Sequence, residues 1–75
     1  MDFDKELDAR GLNCPLPILR AKKALTELQS GQVLKIVATD PGSVKDIASF
    51  CAQTGHELLE HQEAEGSFLF RIRKH

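Results

Sequence analysis

The period of the apolar positions switches between two and nearly four along this chain, and turn residues at each switch divide it into short elements. The order predicted is strand, helix, strand, helix, strand, strand. The first strand spans roughly Lys5 to Ala9, with Leu7 and Ala9 facing inward, and runs into the turn Arg10-Gly11-Leu12-Asn13. Good helix formers from Cys14 to about Gln29 predict the first helix, which stops at Ser30-Gly31. Ile18, Ala21, Ala24, Leu25 and Leu28 share one of its faces, and Leu16, Leu19 and Lys23 fall opposite. Val33 to Ala38, a nearly continuous β-branched and apolar run, reads as a central strand that ends at Thr39-Asp40-Pro41-Gly42. The second helix runs from about Ser43 to Thr54, with Val44, Ile47, Ala48 and Cys51 as its buried stripe and Gly55 as its stop. His56 to Glu63 and Ser67 to Lys74 then form a hairpin about Ala64-Glu65-Gly66, with Phe68, Phe70 and Ile72 on one face.

Two strand-helix-strand units imply parallel strands, and a chain this short has one layer of helices to lay on one sheet face. The expected fold is an α/β (α+β) two-layer sandwich, one domain over residues 1–75. Each helix begins at the carboxyl edge of its preceding strand, so the loops at Cys14 and Asp40 belong on one rim, where open α/β sheets commonly carry function. Charge adds an exclusion. Ten Lys+Arg against eleven Asp+Glu give a net charge of -1, so no overall excess draws the protein to nucleic acid or an anionic membrane. The opening Met1-Asp2-Phe3-Asp4-Lys5-Glu6 is acidic where a secretory signal is basic then apolar, and no apolar run reaches the ~18 residues of a membrane span. A cytoplasmic setting is expected, with both cysteines kept as thiols.

The two cysteines read differently. Pro15 suits a first helical position, which puts Cys14 at the N-cap, and with Pro17 lacking an N–H the Leu16 N–H is the nearest donor to its sulfur. The helix dipole acts at the same point, so Cys14 is expected to ionise below the free-thiol value of about 8.5. The bland alternative is a small residue buried in a turn. Cys51 lies on the apolar stripe of the second helix and reads as core; it lies roughly 12 Å down that helix, too far for a disulfide, which needs Cα atoms within about 7 Å.

Asp40 belongs to the same rim, either capping the second helix or contacting a partner and tuning the thiol. Arg10, flanking that rim with Asp8, either favours a thiolate or forms a solvated pair. Leu16 and Leu19, exposed beside Cys14, are a candidate docking patch with Lys23 one turn further along. The three histidines have neither helical spacing nor a cysteine set for zinc, so no metal is expected. Arg71, Arg73, Lys74 and His75 read as a solvated sheet edge, or as a weak RNA-contact patch.

Leu7-Asp8-Ala9-Arg10-Gly11-Leu12, then Cys14-Pro15-Leu16-Pro17, Asp40-Pro41-Gly42, Asp46-Ile47 and Gly55-His56-Glu57-Leu58 together resemble the TusA-like sulfur-carrier family over nearly the whole chain. The resemblance implies a four-stranded mixed sheet with two helices on one face. It marks Cys14 as the acceptor of persulfide sulfur and Pro15 and Pro17 as its support, with Leu16 at the variable place of the Cys-Pro-x-Pro motif. The reading is a sulfurtransferase-type carrier that takes sulfur from a donor such as a cysteine desulfurase or rhodanese and relays it to an acceptor protein, without cofactor. Two rivals are an RNA-binding or regulatory module of initiation-factor-like fold, and a thiol redox sensor that would need a resolving cysteine from elsewhere.

Overall fold

The computed structural model describes residues 3–75; Met1 and Asp2, the start of the acidic opening, lie outside the described residues. The elements are β1 (Lys5–Ala9), α1 (Leu16–Thr26), β2 (Val33–Ala38), α2 (Gly42–Thr54), β3 (Glu57–Ala64) and β4 (Ser67–Arg73), in the expected order. They form one four-stranded sheet, β1-β2-β4-β3, in which β2 runs parallel to β1 and antiparallel to β4. Because β3 is antiparallel to β4, it runs parallel to β2 with β4 inserted between them. The predicted architecture is borne out.

Alternation sorts the sheet faces. Leu34, Ile36 and Ala38 of β2 and Phe68, Phe70 and Ile72 of β4 are buried beneath the helices, together with Ala9 of β1. Their neighbours Lys35, Val37, Leu69 and Arg71 lie on the helix-free face, only partly covered. The glutamates of β3 bear on the basic end of β4: Arg71 pairs with Glu60 at 2.6 Å, and Arg73 pairs with Glu57. The expectation that this basic cluster marks a sheet edge is therefore corrected, since β4 is an interior strand and its arginines are answered by its neighbour.

Two helix readings also shift. On α2 the buried positions are Ser43, Ile47, Phe50 and Cys51, with Val44 half-buried and Ala48 exposed. The stripe is turned toward Phe50, whose large side chain gains more from burial than the methyl of Ala48. Gly55 stops this helix as expected, at φ 85° with its N–H donating to the Cys51 carbonyl at 3.0 Å. Helix α1 ends at Thr26 rather than Gln29, because the N–H groups of Glu27 and Leu28 bond back three residues, to Ala24 and Leu25. Leu28 stays in the core nonetheless, and Ala21, Ala24 and Leu25 form the buried face foreseen for α1.

Candidate thiol site

Two hydrogen bonds tie the β1–α1 and β2–α2 loops into one rim. The Gly11 N–H donates to Thr39 Oγ1 at 2.9 Å, and the Cys14 N–H donates to Asp40 Oδ2 at 2.8 Å. Asp40 also accepts from the Gly42 N–H at 3.3 Å, and its carbonyl accepts from the buried Ser43 hydroxyl at 2.6 Å. Asp40 thus shapes the turn into α2, where Pro41 is the N-cap, and fixes the backbone of Cys14. A Cβ at Gly42 would stand 3.3 Å from Asp40 Oδ2, so the turn has little room beside the carboxylate that holds Cys14.

Cys14 is exposed and Cys51 is buried, and both are free thiols. The helix-start picture of Cys14 needs correction. The Cys14–Pro15 bond is cis, Pro15 occupies the N-cap, and Pro17 is buried in the first turn. The Leu16 N–H donates to the Asn13 carbonyl at 2.8 Å, so the donor expected for the sulfur is already used. The thiol itself donates to Asp46 Oδ2 on α2 at 2.8 Å. That hydrogen bond raises the Cys14 pKa, with lost solvation and the charges of Asp46 and Asp40 acting in the same direction. The expected lowering is overturned: the carboxylate at the sulfur holds it toward the protonated thiol.

Cys14, Pro15 and Ile18 line an open groove whose far wall is Asp46, Ser49 and Phe50 of α2. Lys22 lines it too, with its ammonium over the Phe50 ring at 5.7 Å. Arg10 is not part of this arrangement; it grips Asp8 through two bonds of 2.9 and 3.0 Å, beside Glu6 and Val37. This pair holds the Asp8 carboxyl down at about 2. Leu16 and Leu19 are 44% and 50% exposed, and Lys23 is exposed near the end of α1, as their helical face foretold. Asp46 and Lys22 were not singled out from sequence as site residues. Their signal lay in the facing sides of α1 and α2, which become legible only with the true α2 stripe.

Among the described residues there is no cluster of side chains suited to a metal, and no helix is long and apolar enough to cross a membrane. The family model for sulfurtransferase TusA matches residues 5–74. The chain belongs to the TusA family. A sulfur carrier protein TusA of Allochromatium vinosum is 66% identical over 73 residues, covering 97% of this chain and 96% of that protein. Its counterpart in Pseudomonas entomophila is 52% identical over 71 residues, covering 95% and 89%. Among solved structures, the SirA-like protein from Desulfitobacterium hafniense superimposes with a TM-score of 0.84 at 30% identity, over 93% of this chain and 96% of that one. TusA membership leaves the initiation-factor-like alternative without support, and Arg71 and Arg73 of its basic cluster pair with glutamates of β3.

Proposed function

We propose that Cys14 is the atom site on which this sulfur carrier holds its cargo, as a persulfide, within one domain over residues 1–75. The supporting observation is an exposed thiol on the rim whose backbone is fixed by Asp40 at 2.8 Å, while the other cysteine is buried. Pro15 and Pro17 support that sulfur from the helix side, and Leu16 and Leu19 offer apolar contact for a docking partner, with Lys23 beyond them. In the transfer, the Cys14 sulfur attacks the outer sulfur of a donor's persulfide. A bond forms between those two sulfurs as the donor's S–S bond breaks, and the electron pair leaves on the donor's inner sulfur, which takes up the proton released by Cys14. The reverse sense of the same exchange delivers the sulfur to an acceptor, with no net oxidation.

This makes the protein a sulfurtransferase-type relay working in the cytoplasm without cofactor. Donors of fitting chemistry are a cysteine desulfurase or a rhodanese-like protein. Incubation with a cysteine desulfurase and cysteine, followed by intact-mass measurement, should add one sulfur to the parent. Absence of that gain with an active desulfurase would count against the assignment.

A further inference from the structure

We propose that Asp46 is a positioning residue that holds the empty Cys14 as a neutral, hydrogen-bond-donating thiol, and that a cationic group on the docking partner releases the sulfur by engaging that carboxylate. The inference rests on Cys14 being the cargo site.

Two charged groups bear on the sulfur, and a third lines its groove. Asp46 on α2 accepts the thiol proton's hydrogen bond at 2.8 Å, and Asp40 in the preceding loop accepts the Cys14 N–H at 2.8 Å. Lys22 on α1 lines the same groove, but its ammonium lies over Phe50. Neither carboxylate forms a salt bridge among the described residues; the acidic partners in the salt bridges are Glu27, Asp8, Glu6, Glu60 and Glu57. Two carboxylates without a cation therefore flank a sulfur that must become negative to attack, and both oppose that charge. The resting carrier is guarded against stray electrophiles and oxidants, which react with thiolate rather than thiol. A partner that places an arginine or lysine at Asp46 satisfies the carboxylate and removes the opposition in one contact. Because Asp40 fixes the backbone independently, the sulfur keeps its place when Asp46 lets go. As the sulfur attacks, the proton it gives up ends on the leaving thiolate of the donor, and Asp46, paired with the partner's cation, stays a carboxylate throughout.

The test compares the pH dependence of Cys14 alkylation by iodoacetamide, read by peptide mass, in the parent, Asp46→Asn and Asp46→Glu. Asp46→Asn should react about fivefold faster at neutral pH, the worth of one unit charge about 4 Å away in water, with its inflection moved to lower pH. Asp46→Glu should restore the slow profile. Circular dichroism checks the fold of each, and Asp46→Ser replaces Asp46→Asn if the latter does not fold. With a cysteine desulfurase and cysteine, loading should fall less steeply with salt in Asp46→Asn than in the parent. An unchanged alkylation profile in a folded variant overturns the hold on the thiol, and an equal salt slope overturns the release. A parent that gains no sulfur on Cys14 instead defeats the cargo-site reading, so the two failures are distinct.

Discussion

Cys14 and Cys51 are both held toward the protonated thiol, yet for causes that differ in kind. Cys51, 5% exposed on α2, is raised by burial alone, and relieving that requires unpacking Ile47, Phe50 and the strands beneath. Cys14 is raised first by one hydrogen bond to Asp46 at an open groove. A partner can remove the second cause and not the first. A shift in the same direction can thus mark an inert thiol or a restrained one, and the cause tells which.

The comparison breaks most sharply at the cargo. Cys14→Ser should abolish sulfur loading while leaving the circular dichroism unchanged, and Cys51→Ala should load as the parent does; radiolabelled sulfur transfer from cysteine through a desulfurase reads both. Next in size is docking. Leu16→Asp or Leu19→Asp should weaken donor binding by more than about 1 kcal/mol in a calorimetric titration, since both side chains are exposed beside Cys14 and outside the core. Unchanged affinity in both would move the interface to the Asp40 loop. On the buried side, Cys51→Ala should lower the unfolding free energy by about 1 kcal/mol in urea, the ordinary cost of a lost core contact.

Much of this contrast was legible in the sequence, because burial follows periodicity. The inward residues of β1, the apolar face of β4 and the exposure of Leu16 and Leu19 are consequences of side-chain direction that any window of residues reveals. Spacing alone puts Ala48 on the α2 stripe, and the size of Phe50 turns that stripe away from it. The interior place of β4 could not be read locally, since sheet order depends on which strand β2 accepts after two crossovers. Asp46 is the instructive case. Its hydrogen bond joins residues 32 positions apart across two loops, and no local pattern announces that a carboxylate will face a given sulfur.

A smaller effect tests the far end of α2. Burial first, then the charges of Lys74 and His75, lowers the His56 pKa, and His56 Nδ1 accepts the His75 N–H at 3.0 Å. A histidine lowered on folding contributes stability above its ordinary 6.5 that is lost as pH falls through the folded value. Thermal unfolding should therefore show a modest drop between pH 7 and 5 that His56→Gln reduces. An identical pH dependence in that variant would mean His56 carries none of it.

The central claim is that the cargo rides on the restrained thiol and not the buried one. Loading the parent from a cysteine desulfurase and cysteine, then locating the added sulfur by tandem mass spectrometry of non-reduced peptides, tests it most directly. The account predicts one extra sulfur, confined to the peptide containing Cys14. Sulfur found on the Cys51 peptide, or on neither under an active desulfurase, would contradict it.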